Sequence, residues 1–125
     1  MAVKFITLVA GDMSGDGHGM TYTETYTFNN KYMEKDVEKS FKKGLHIIGI
    51  PDFREKLENY QSNHLTDGTV QKINNAVHTN IDNIIRPKEY IDIYVKIANL
   101  ANADLNLTKI DSMEWDIGGY GLFDD

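Results

Sequence analysis

The chain contains no cysteine, only two prolines in 125 residues, and no apolar run that approaches the length of a membrane span. Without thiols there is no disulfide framework and no thiolate nucleophile or ligand, a composition compatible with a reducing cytosol. Apolar runs this short argue against a transmembrane helix, and the opening residues lack the basic region and long apolar core of a signal peptide. A cytoplasmic protein without membrane attachment is therefore expected. Basic charge is also short: 13 Lys and Arg stand against 19 Asp and Glu, a formal charge of −6. That balance argues against a nucleic-acid backbone as partner, because capturing phosphates along a strand needs clustered Lys and Arg. The basic residues that do cluster, Lys31, Lys35, Lys39, Lys42 and Lys43, are interleaved with Glu34, Asp36 and Glu38 and read as a solvated helix face.

What is present is ordinary globular material. Hydrophobic residues at 41% and charged residues at 26% exclude disordered and collagen-like classes. The length suits a single domain, residues 1–125, with one core. No repeat, low-complexity tract or linker divides it.

The first strand is predicted over about 3–10 and the second over about 20–29. In the second, Tyr22, Glu24, Tyr26 and Phe28 fall on one face and threonines on the other, the period of two of a half-exposed strand. Asn30 is a candidate N-cap, and Met33, Val37, Phe41, Leu45 and Ile48 then mark an amphipathic helix that ends near Gly49 and Pro51. Glu38 and Lys42 form an i,i+4 pair on its outer side. A short helix over about 52–61 and a turn from Asn63 to Gly68 follow. Val70, Ile73, Val77, Ile81 and Ile84 mark another helix. Residues 88–102 alternate like a strand at first, but their helical stripes persist for about fifteen residues, so length favours a helix with Pro87 in its first turn. Leu105 to Asp111 reads as a last strand. The expected fold is α+β: a small antiparallel sheet, made of the N-terminal hairpin plus a C-terminal strand, packed by three to four helices.

The chemistry concentrates between the first two strands. Asp12, Ser14, Gly15, Asp16, Gly17 and His18 put two carboxylates, a hydroxyl and an imidazole on a glycine-rich connection longer than a tight hairpin needs. Several readings stay open. Asp12, Ser14, Asp16 and Gly17 match the opening of a calcium loop, but the twelfth position is Thr23, and Glu24 comes one residue late. A divalent transition metal at Asp12, Asp16 and His18 would support a metal-dependent hydrolase or phosphodiesterase. Alternatively, the glycine-rich amides form a nest for phosphate, with Ser14 and His18 as further donors. The plainest reading is a loop whose Asp and Ser side chains cap their own turns. No hydrolase triad or nucleophile elbow is present. His46, His64 and His78 read as surface or boundary residues.

The second candidate element is the ending from Trp115 to Phe123, where Trp115 and Tyr120 could stack on a base or anchor a subunit interface. So aromatic and weakly charged a segment is expected to pack on the domain or on another subunit, which implies a homo-oligomer.

The run from Gly11 to Thr21 is similar to the opening of a family of small phage and phage-related bacterial proteins. In that family a strand is followed by Gly-Asp-Trp-Ser-x-Asp-Gly-His-Gly-Lys-Thr, a second strand and a helix. Here Met13 stands where the pattern has Trp, and Met20 where it has Lys. The resemblance implies a small anti-defence binding protein rather than an enzyme, acting in the host cytoplasm if phage-encoded. Such a protein would sequester a nucleotide-like ligand or block a host defence protein, and would need no cofactor.

Overall fold

A computed structural model of the chain describes residues 3–11, 20–55 and 65–116, with the strand residues 11, 20–21 and 111–116 described by their backbone alone. Three strands form one antiparallel sheet in the order β1-β2-β3, where β1 is Val3–Gly11, β2 is Met20–Asn29 and β3 is Thr108–Asp116. Three α-helices lie wholly within the described residues, α1 Glu34–Ile48, α2 Asp67–Val77 and α3 Pro87–Ala101, and residues 53–55 belong to a further one. The fold is α+β, as the periodicities imply.

β1 and β2 pair in unbroken register from Val3 opposite Asn29 to Gly11 opposite Thr21. The alternation decides which face is buried. Ile6, Glu24, Tyr26 and Phe28 point into the core, whereas Phe5 and Val9 on the opposite face are 59% and 62% exposed. Thr7 and Thr25 face each other on that outer surface with their hydroxyls 3.2 Å apart.

α3 carries the core. It packs against β1 and β2 and against α1, and Ile91, Ile93, Tyr94, Val95, Ile97 and Ala98 are all buried. Its crossing with α1 is close because Gly44 has no side chain: a Cβ there would lie 2.4 Å from Ile97 Cγ2 and 2.7 Å from Ile97 O. α1 ends as its sequence implies, on Gly49 in the left-handed conformation (φ 91°), with the Gly49 and Ile50 amides donating to Leu45 O.

Three elements have boundaries that differ from the sequence expectation. α1 begins after Met33, not at Asn30. Asn29 to Tyr32 close a turn of their own through Tyr32 N and Asn29 O, and Asp36 reaches back to accept from Met33 N at 2.7 Å. α2 begins at Asp67, so Gly68 is helical, and it stops at Val77; Ile81 and Ile84 lie beyond it. His78 adopts φ 57°, and the Asn74 side chain captures both the amide and the carbonyl of Ile81. Finally, Leu105 belongs to a short 3-10 turn, Ala103–Leu105, and β3 starts only at Thr108 and runs on to Asp116. Leu107 is held by Asn99, which accepts from its amide and donates to its carbonyl, so a side chain stands in for a strand partner there. Residues 53–55 are helical, and the remainder of the helix expected over 52–61 lies outside the described residues.

Candidate functional site

The loop residues singled out from the sequence, Asp12, Ser14, Gly15, Asp16, Gly17 and His18, lie outside the described residues, as does Tyr120. Their attachment points, however, are defined by the sheet. The loop leaves β1 at Gly11, which is opposite Thr21, and enters β2 at Met20, which is opposite Asp116 of β3. Trp115 is the register partner of Thr21. Asp116, the last residue of β3, therefore lies at the same end of the sheet as Gly11 and Met20, within about 10 Å, two strand spacings. Trp115 and Asp116 are strand residues, which shortens the aromatic ending to the part that follows them. Two attachment points separated by almost the whole chain thus share one end of the sheet.

The underside of this sheet end is polar and partly aromatic. Tyr22, next in β2, has the ammonium of Lys88 6.0 Å from its ring centroid, and Lys88 belongs to the first turn of α3. Further along β2, Glu24 is buried at 2% exposure. The Tyr26 hydroxyl donates to Glu24 Oε1 at 2.5 Å, and Lys109 Nζ stands 3.7 Å from Oε2. Burial, followed by the hydrogen bond to Glu24, pushes the Tyr26 phenol far above its ordinary range, so it stays protonated and serves as the donor. The Glu24 carboxylate is thus engaged within the core. The sequence pattern placed Glu24 on the Tyr22–Phe28 face; that this face is the buried one follows from the helix packing.

A second polar group joins α1, the 53–55 turn and α3. Arg54 meets Glu38 with two parallel hydrogen bonds of 2.7 and 3.0 Å, and Tyr94 donates to the same carboxylate at 2.8 Å. The guanidinium lies 4.9 Å from the Phe41 ring centroid and donates to Tyr90. The expected Glu38–Lys42 pair is present but longer, at 3.9 Å. The Arg54 partnership, sixteen residues away, carries no periodic signal in the sequence. Every charge in this group has a partner, so it acts as a staple between elements.

Burial raises the Glu38 carboxyl's pKa, but hydrogen bonds from Arg54 and Tyr94, with the charges of Arg54 and Lys42, outweigh it and hold the group below its ordinary value. A depressed carboxyl contributes stability that is present above its unfolded pKa and lost as pH falls through the folded one. Urea unfolding at pH 7 and pH 3 should therefore show a smaller acid loss for Glu38→Gln than for the parent chain. Equal losses would show that the staple contributes nothing to acid sensitivity.

At the opposite end of the sheet, Asn29 and Asn30 face Asp104 and Asn106 across a cleft of about 370 Å³. Asp104 is already paired there with Lys31 and with the Tyr32 hydroxyl. The lysines expected to be solvated, Lys31, Lys35, Lys39, Lys42 and Lys43, are exposed. Among the described residues no group of three or more His, Asp or Glu is placed to hold a metal ion, and no helix is long and apolar enough to cross a membrane. The metal reading of Asp12, Asp16 and His18 falls outside those residues.

No protein-family model matches the chain, and comparison with curated proteins and with solved structures likewise gives no match.

Proposed function

We propose that this chain is a non-enzymatic binding protein that captures a small, phosphate-bearing, nucleotide-like ligand at the sheet end where the 12–19 loop and the segment after Asp116 emerge. The observation that carries this reading is the pairing of Met20 with Asp116 and of Thr21 with Trp115. It puts the attachment points of the glycine-rich segment, with Ser14, His18 and two aspartates, and of the segment with Tyr120 at one end of the sheet. Such a pair offers amide and hydroxyl donors for phosphate, carboxylates for sugar hydroxyls or base amino groups, and an aromatic surface for stacking. Lys88, over Tyr22 at the same end, supplies positive charge. In a phage-type protein, as the Gly11–Thr21 run suggests, capture of a nucleotide signal would blunt a host defence.

Thermal unfolding in the presence of linear and cyclic nucleotides tests this reading. A ligand at 100 times its Kd should raise stability by about 2.7 kcal/mol. That gain should fall away in His18→Ala and Lys88→Ala chains. If no nucleotide moves the transition, the reading is wrong, and a host protein retained on the purified chain would instead identify a blocking role. The same melts with and without chelator test the metal-assisted alternative at Asp12, Asp16 and His18.

A further inference from the structure

The lysines of α1 are interleaved in the sequence with Glu34, Asp36 and Glu38, yet the fold separates the two signs. At about 100° per residue, Lys35, Lys39, Lys42, Lys43 and His46 fall within one arc of about 100°, opposite the buried stripe of Val37, Phe41, Gly44 and Leu45. All five are exposed. The acids lie outside that arc, and two are engaged elsewhere. Asp36 turns back to accept from Met33 N at 2.7 Å at the start of the helix. Glu38 is held by Arg54 and Tyr94. Lys42 keeps its 3.9 Å pairing with Glu38, whereas Lys35, Lys39 and Lys43 have no ion-pair partner among the described residues. These three follow one another at intervals of four residues, a row of point charges about 6 Å apart along the helix. A solvated helix face commonly pairs opposite signs at that spacing. Here one sign stands alone, on a chain whose total charge is −6.

We infer that this arc docks an acidic helical segment of a partner protein, whose carboxylates on successive turns lie along Lys35, Lys39 and Lys43. Charge and spacing both select that occupant. A helix lying beside α1 presents carboxylates four residues apart at the same interval of about 6 Å, so one register serves the whole row. The arc has no aromatic residue on which a nucleobase could stack and no arginine fork for bidentate capture of a phosphate. Nor does it carry the apolar side chains with which a helix enters a lipid surface; Ile47, 58% exposed, stands at its rim. Width decides further. A bilayer or a duplex extends past α1 and meets the field of the whole molecule, which is acidic. A single helix stays close to the lysines, and charges more than about 8 Å away are screened from it at physiological ionic strength.

Fluorescence anisotropy tests this with a labelled, alanine-rich helical peptide that carries glutamate at every fourth position. The full chain should bind it at low salt, with an affinity that falls as salt rises. A peptide of the same composition with its glutamates dispersed round the helix should bind several-fold more weakly. The chain with Lys35→Gln, Lys39→Gln and Lys43→Gln should lose the binding and keep its far-ultraviolet spectrum, since glutamine forms helix about as well and all three sites are exposed. Two variants that alter net charge equally separate the face from the total. Lys39→Glu should weaken binding about tenfold, whereas Lys96→Glu, on α3, should change it by no more than about twofold. The inference is overturned by a peptide that does not bind, a dispersed peptide that binds as well, or a glutamine variant that retains binding. Equal losses from Lys39→Glu and Lys96→Glu overturn it too. So does tighter binding of poly-dT or of phosphatidylserine vesicles than of the peptide, which would assign the arc to a nucleic acid or to a membrane. Nucleotide binding should be unchanged in the glutamine variant, because α1 supplies none of the groups proposed for the ligand, so the two proposals fail separately.

Discussion

Replacing Phe41 with alanine is expected to remove about 3–5 kcal/mol of stability, the range for deleting a buried aromatic ring. Phe41 is fully buried, and its ring stacks on Tyr94 at 4.3 Å between centroids and meets Phe53 edge-on at 6.5 Å. The Arg54 guanidinium lies over it at 4.9 Å, so the deletion also removes the surface on which the Arg54–Glu38 pair rests. Domains are stable by only about 5–15 kcal/mol, so the variant would retain a marginal fold at best. Phe41→Leu, which keeps much of the volume, should cost well under half as much. Urea titration of both variants checks the account. A Phe41→Ala loss below about 1 kcal/mol would mean that this ring cluster is not packed as described.

Gly44→Ala is the second large effect, and it sets two opposing terms against each other. Alanine is the better helix former by about 0.5–1 kcal/mol, so on propensity alone the change should stabilise α1. Contact reverses the sign. The added methyl would stand 2.7 Å from the Ile97 carbonyl oxygen, which is backbone and cannot rotate away. Only separation of α1 from α3 relieves the overlap, and overpacking of this kind costs about 1–3 kcal/mol or more. The expected net loss is about 2 kcal/mol, a fall of several degrees in Tm. A rise in Tm would show that the two helices stand further apart than described.

The elements that could be read from the sequence are those whose residues meet one environment on each side. β1 and β2 alternate cleanly because one face is covered and the other is open. α1 shows its stripe because only one arc of it is buried. α3 reads ambiguously for the converse reason. It meets the sheet and α1 at once, so Ile91, Ile93, Val95 and Ile97 are all buried, and their spacing of two imitates a strand. Length rescued the assignment. The earlier end of α2 and the later start of β3 than the sequence implies share another cause, since Asn74 and Asn99 bind backbone groups that the apolar spacing assigned to regular structure. Such side-chain substitutes for a ladder leave no periodic trace. For the candidate site, the residue types of the 12–19 loop were legible, and so was the aromatic character of the ending. That their attachment points share one end of the sheet was not, because this depends on the pairing of β2 with a strand more than eighty residues away.

That same pairing governs the order in which the molecule can be assembled. β1 and β2 are joined by a short connection and can meet within a local hairpin, which closes on the microsecond scale. β3 can dock only after the intervening helices have brought it back, and contacts of such long range are what slow the folding of small domains. The sheet end proposed for ligand capture is therefore completed at the last step rather than the first. A chain still emerging from the ribosome has the pairing of β1 with β2 but not that of β2 with β3 and, on the proposed function, would not yet bind. Binding competence and completed folding would then arrive together, and a ligand could act as a selective reporter of the finished fold.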